Sequence, residues 1–316
     1  MEQFIITANV VVPFFLLMGV GWSAVKFRIV DEGCIDGINR LVFFLFLPSN
    51  LFGHLYRAEL TAAFHLRLVL YCLITILITF FTFWIVSSRF LDKPKLGALV
   101  QAGYRSNFVI LATPMIVLLM GEAAAPQVVL MVPVFVITYS ILAVLLFTVT
   151  VERGERSLGQ MIPTVLLGVL KNPMIIGILA GLAVNISGLP LPVILEQGTV
   201  YMMHATTPVA LLGIGGVLSI DKVRRNLKLA VVATLFKNVL MPVIMIVPAV
   251  FLGFRGVELA IIAVGSLSPT AVASYAMAKS MGGDGDLAAS CLVLTNLMAL
   301  FTIVLGLTTL GVLNLL

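Results

Sequence analysis

Charge is what this sequence has least of. Only 10% of its 316 residues are Asp, Glu, Lys or Arg, while 61% are apolar. So little polar surface cannot cover a water-soluble domain, which leaves a polytopic membrane protein. Cysteine is as sparse. Cys34, Cys72 and Cys291 stand far apart, with no metal-like spacing and no even framework, which excludes a disulfide scaffold and a metal site. Acid is missing from the interior of every apolar run, because Asp36, Glu196, Glu258 and Asp286 all fall near run ends. Proton-coupled carriers generally use a buried carboxylate or a histidine relay. Here His54 lies near the outer end of its run, His65 in a loop, and His204 deeper but alone. Coupling through a dedicated carboxylate is therefore disfavoured. No nucleophile–base pair is visible, so an enzyme is not expected, nor is any cofactor. Sodium remains admissible through carbonyl and Ser, Thr or Asn oxygens. The net charge of +5 reflects basic loops on one face of a membrane and implies no nucleic-acid partner.

What the sequence has in quantity is long apolar runs. A window of about 20 residues gives about ten spans, at 4–25, 36–56, 66–88, 96–119, 126–149, 164–187, 193–219, 229–252, 257–280 and 287–313. The first run follows Met1-Glu2-Gln3, without a basic leader region, and is too long for a signal peptide, so it is expected to be a retained helix. The longest interruption runs from Glu152 to Gln160, and the apolar run after it could begin as an interfacial helix. One face of the membrane would hold Lys26, Arg28, Arg40, Arg89, Lys93, Lys95, Arg153, Arg156, Lys171, Lys222, Arg224, Arg225, Lys228 and Lys279, and the other only Arg57, Arg67 and Arg255. The first face is then cytoplasmic and, with an even number of spans, both termini lie outside the cell or inner membrane.

An internal echo recurs at an offset of roughly 160 residues. Pro13 and Gly21 are matched by Pro173 and Gly181, Pro48 and Gly53 by Pro208 and Gly213, and Asn107 and Gly121 by Pro269 and Gly283. The expected fold class is an all-α membrane protein of ten transmembrane helices in two inverted five-helix repeats, residues 1–149 and 150–316. The competing reading is a helical bundle with scattered kinks.

Two stretches look like helix breaks in matching positions. In Ser266–Lys279, Pro269 removes a backbone donor near mid-depth while Ser266, Ser268, Thr270 and Ser274 supply hydroxyls. The other stretch is Gly103-Tyr104-Arg105-Ser106-Asn107. Broken helices survive in lipid only where protein or a watery cavity satisfies the freed backbone groups. If the breaks cross, two half-helix N-termini point at one centre, which with Arg105 would attract a carboxylate. Arg105 could instead cap the carbonyls freed by the break, and Asn107 could bind through its amide. Ser268 and Thr270 could add donors, although a back-bond within their own helix is the commoner use of such hydroxyls. Lys237 and Asn238, just before Pro242, could brace a broken helix or reach the cavity. Asn50, Thr206, Thr207, Tyr139, Thr295 and Asn296 are further polar groups that could line a path.

These residues resemble the auxin efflux carrier family. The resemblance rests on Asn39-Arg40-Leu41-Val42-Phe43 through Leu47-Pro48, on Tyr104-Arg105-Ser106-Asn107 with Thr113-Pro114, on Lys171-Asn172-Pro173, on Lys237-Asn238-Val239-Leu240-Met241-Pro242, and on Ser268-Pro269-Thr270-Ala271 followed by Gly282-Gly283-Asp284. It implies a fold like the bile-acid sodium symporters, with broken helices 4 and 9 crossing. It also implies a dimerising scaffold (4–56 and 164–219) and a transport domain (66–149 and 229–313) that moves like an elevator. Asn107, Pro269, Arg105, Lys237 and Tyr139 match positions of interest in the family. Where many relatives have proline before the crossover Asn, this chain has Ser106. The acid–base pair of the plant PIN-type carriers has no counterpart between Leu68 and Ile85, and their long cytoplasmic loop is absent. The bacterial carboxylate-permease branch fits better, with malonate or malate as the kind of substrate. The resulting expectation is a secondary transporter of a small organic anion, homodimeric in the bilayer. The alternative is a membrane sensor that binds such an anion without flux. Expected substrate-binding residues are Arg105, Ser106, Asn107, Ser268, Pro269, Thr270, Tyr139 and Asn50, supported by Lys237, Asn238 and Asn296.

Overall fold

A computed structural model of the chain describes residues 2–57, 65–150, 163, 167, 170–218 and 220–316. Its regular structure is helical, because apolar runs in a medium without water must satisfy their amides internally. In chain order the helices are α1 (Glu2–Lys26), α2 (Glu32–Leu41), α3 (Leu47–Tyr56), α4 (Leu66–Ser87), α5 (Lys93–Tyr104), α6 (Thr113–Met120), α7 (Ala125–Thr150) and α8 (Pro173–Ser187). They continue with α9 (Val193–Val217), α10 (Ile220–Arg225), α11 (Leu227–Leu235), α12 (Met241–Phe251), α13 (Gly256–Leu267), α14 (Val272–Ser280) and α15 (Gly285–Val312). The Glu152–Gln160 interruption, and most of the run after it, lie outside the described residues.

Three wide π turns stand among the helices: Val42–Phe46 joins α2 to α3, Phe236–Leu240 joins α11 to α12, and Phe108–Ala112 leads into α6. Each is followed, one residue on, by a proline: Pro48, Pro114 and Pro242. A proline ring collides with the carbonyl four residues earlier and offers that carbonyl no N–H. Widening the turn relieves the collision, and the residue before each proline bonds five residues back, as Thr113 N does to Phe108 O.

The ten expected spans are not all long continuous helices. Among the described residues seven helical runs are long and apolar enough to cross a membrane: Phe4–Lys26, Glu32–Tyr56, Leu66–Ser87, Glu122–Thr150, Val193–Val217, Leu227–Phe251 and Gly285–Val312. The apolar helices Phe108–Met120, Pro173–Ser187 and Gly256–Leu267 are shorter. Of the expected spans, 96–119 and 257–280 are each split near the middle, and the described helix within 164–187 begins only at Pro173. Seven long helices among the described residues do not divide into two sets of five, which overturns the expectation of ten helices in two inverted five-helix repeats. A hydropathy window averages across an interruption and is blind to the continuity of the backbone.

Packing centres on two neighbourhoods, and α1 joins them by lying against α15 as well as α9. α1 lies along α9, and α3 lies along α8 and α9. The first contact is backbone to backbone, since a Cβ on Gly21 would overlap the carbonyl of Leu212, and one on Gly215 that of Met18. Amides stitch the second, through Asn50 Nδ2 to Met203 O (3.3 Å) and Asn185 Nδ2 to Tyr56 O (2.8 Å). The other neighbourhood surrounds α5, α13 and α15, whose inward residues (Leu99, Ile262 and Leu292 among them) are fully buried.

Candidate substrate site at two helix breaks

α5 ends at Tyr104, and the chain then runs extended through Arg105 (φ −88°, ψ 105°) to Asn107 (φ −80°, ψ 62°). α13 ends at Leu267, and Ser268 (φ −58°, ψ 141°) and Ala271 (φ −68°, ψ 141°) are extended too. Pro269 accounts for the second break, since it has no N–H for the Gly265 carbonyl. The first break contains no proline and is held by pairing with the second. Asn107 N donates to Pro269 O (2.8 Å) and Ala271 N to Arg105 O (3.1 Å), which sets Ser106 opposite Thr270 in an antiparallel bridge.

The freed helical partners are satisfied one by one, as buried backbone groups must be. In an unbroken helix Ser266 O would accept from Thr270 N. Instead Lys237 Nζ, fully buried, donates to Ser266 O (2.6 Å), and Thr270 N turns to Thr295 Oγ1 (3.3 Å). Ala102 O, left without Ser106 N, accepts from Thr270 Oγ1 (2.5 Å). Ser268 Oγ bonds back to Val264 O (2.7 Å). Asn238 Nδ2 reaches Thr295 O (3.1 Å) and Thr302 Oγ1 (3.4 Å), and Asn296 Nδ2 reaches Leu292 O (2.7 Å). Lys237, Thr270 and Thr295 thus brace the breaks.

Other side chains at the breaks are not used this way. Arg105 is 4% exposed, and its Nη1 contacts Met277 Sδ (2.8 Å). With its amide oxygen oriented toward the guanidinium, Gln101 accepts from Arg105 Nη1 (3.2 Å) and donates to Ser274 O (3.3 Å). Both partners are neutral. Among the described residues the acid–base contacts are Arg57–Glu196 (3.0 Å) and His65–Glu258 (2.8 Å), so no described carboxylate balances Arg105. The Tyr139 hydroxyl faces Ser106. Beyond each other, Tyr139 OH and Ser106 Oγ have no partner among the described residues, and Asn107 Nδ2 is buried without one.

All four of these residues border one cavity of about 390 Å³. The first turns after both breaks border it as well, through Phe108, Val109 and Ile110 on one side and Ala271, Val272 and Ala273 on the other. First-turn amides of a helix have no partner within it, so two partial positive ends border the cavity. The remaining wall is mostly apolar, with Phe43, Phe44, Phe135 and Met174, and the lining reaches Asp36, Asn39 and Arg40 in α2. Of the residues expected from sequence, Arg105, Ser106, Asn107 and Tyr139 meet at the cavity. Ser268, Pro269 and Thr270 stand behind it in the paired breaks, and Asn50 is elsewhere, tied to α9. Sequence reasoning missed Gln101 and Arg40 as neighbours of the site. Gln101 was within reach, standing one helical turn before Arg105 on the same face.

Comparison with known proteins agrees with a carrier. The family described as membrane transport protein matches residues 6–306. A curated relative from Methanothermobacter thermautotrophicus, described as an uncharacterized transporter, is 22% identical over 302 residues, covering 94% of this chain and 96% of its own. The chain therefore belongs to the membrane transport protein family, which includes transporters of the auxin-efflux-carrier type, and is a multi-pass membrane transporter rather than an enzyme.

Proposed function

We propose that the protein is a secondary transporter of a small organic anion, a mono- or dicarboxylate of the malonate or malate kind. The observation that carries this is the cavity's polar end. An arginine without a carboxylate, two helix starts, the Asn107 amide and the Tyr139 and Ser106 hydroxyls converge there, all with donor capacity to spare. Buried donors left unpaired cost about 1–3 kcal/mol each, and an acid group would engage several at once. Cations would be repelled from the same point.

In this reading α1, α2, α3, α8 and α9 form a scaffold, through which two copies associate, and the helices around the breaks form the moving domain. Backbone-close contacts within the first group, and bracing hydrogen bonds within the second, support treating each as one body. The end bearing Lys26, Arg40, Lys93 and Lys279 faces the cytoplasm of a cell or inner membrane. Both chain termini then lie on the opposite side. Alternating access carries the breaks, with the anion, past the scaffold in an elevator-like movement.

The experiment is electrogenic current from purified protein in liposomes, screened over malonate, malate, butyrate and benzoate, with and without sodium and across a pH step. Saturable current with at least one acid supports the proposal. Saturable binding without flux would make the protein a sensor, and absence of both would remove the anion from the account.

A further inference from the structure

Arg40 counts by sequence among the basic residues of a helix end, yet it lines the same cavity as Arg105. α2 is helical from Glu32 to Leu41, so Asp36 and Arg40 project from one face, a turn apart. Both line the cavity, with Asn39 beside them. That spacing favours an ion pair, but none joins Arg40 to Asp36 or to any other described carboxylate. Asn39 Nδ2 donates to Gly213 O (3.4 Å). Arg40 is exposed. Two basic side chains thus line one cavity, Arg105 buried and Arg40 accessible, and phenylalanine and aliphatic residues line it with them.

We propose that Arg40 is a capture residue: the acid group of an incoming anion engages its guanidinium at the mouth before passing to Arg105. Asp36, one turn nearer the helix start, opposes that attraction and limits how long the anion stays. An accessible charge beside low-dielectric walls raises the local concentration of counter-ions, and salt screens the effect. Arg40 lies outside the braced breaks, so its charge governs loading more than translocation. The inference rests on the anion-transport reading above.

Currents are measured in proteoliposomes for the wild type, Arg40→Gln, Arg40→Lys, Asp36→Asn and Arg105→Gln. The probe is whichever of malonate, malate, butyrate and benzoate gives the largest wild-type current. At roughly 10 mM salt, Arg40→Gln should raise KM about fivefold or more, the scale expected for losing a steering charge, with maximal current changed by less than about twofold. At roughly 150 mM salt the difference should shrink to about twofold, because the charge is accessible and screened. Arg40→Lys should restore the low-salt KM, and Asp36→Asn should lower it below the wild-type value. An unchanged KM in Arg40→Gln, a loss confined to maximal current, no rescue by lysine, or an unchanged KM in Asp36→Asn would each overturn the capture role. If Arg105→Gln loses the anion response while Arg40→Gln behaves as wild type, only the capture role fails. If no acid drives wild-type current, both readings fail together.

Discussion

A guanidinium buried against a thioether and an amide, with no acid beside it, keeps most of its charge uncompensated. Charge-assisted hydrogen bonds contribute about 1.5–3 kcal/mol each, so losing one to a bound acid corresponds to roughly a 10- to 100-fold loss of affinity. Arg105→Gln is accordingly expected to weaken anion binding by that factor while the protein still inserts and purifies. Unchanged affinity together with a lower melting temperature would instead mark Arg105 as a cap for the broken helix. Asn107 presents two separate groups. Its backbone N–H holds the pairing with Pro269, while its side-chain amide is free to meet a ligand. Asn107→Ala removes only the second. Transport should be abolished with melting temperature nearly unchanged, and wild-type uptake by this variant would take the side chain out of the site.

Between residues and the whole bundle stand the breaks themselves. Pro269→Ala restores an N–H that can bond Gly265 O, lifting a penalty of about 3 kcal/mol against a continuous helix. A continuous α13–α14 would lose both bonds that hold Arg105 and Asn107 extended. Flux should then fall at least about tenfold while the protein remains folded; normal kinetics would mean that the break has no part in function. The break after Leu267 was legible in sequence, because proline in an apolar run amid hydroxyls has a mechanical meaning. The break after Tyr104 rested on a polar Arg-Ser-Asn run, and nothing in its own residues compels it; the partner strand does. The π turns before Pro48, Pro114 and Pro242 were not anticipated, since a proline in an apolar run does not by itself say how the turn before it adjusts. Nor did spacing reveal that Lys237 would be spent on Ser266 O, a contact 29 residues away in sequence.

At the scale of the molecule, apolar composition placed the chain in a membrane, but continuity had to come from the backbone. That is why about ten hydropathy peaks correspond, among the described residues, to seven long helices and a set of shorter ones. The tightest packing depends on missing side chains: α1 approaches α9 so closely that Gly21 faces the Leu212 carbonyl and Gly215 the Met18 carbonyl. Gly215→Leu has no rotamer that avoids backbone and should destabilise the protein by about 1–3 kcal/mol or more. A lower melting temperature and a broadened size-exclusion peak in detergent would show it. A melting curve like the wild type would mean that the two helices separate easily, which a rigid scaffold does not allow.

The bridge between Ser106 and Thr270 also bears on how the chain is made. Roughly 160 residues separate its two sides, which at 5–20 residues per second is on the order of ten seconds or more of synthesis. Throughout that interval the Asn107 amide and the Arg105 carbonyl sit in a nascent chain whose complementary strand does not yet exist. The early segment must wait as a provisional helix or in the shelter of the insertion machinery, and it reaches its final shape only once the later segment arrives. Ribosome-stalled chains ending before Gly256 should therefore be far more sensitive to protease near Ser106 than chains released at full length.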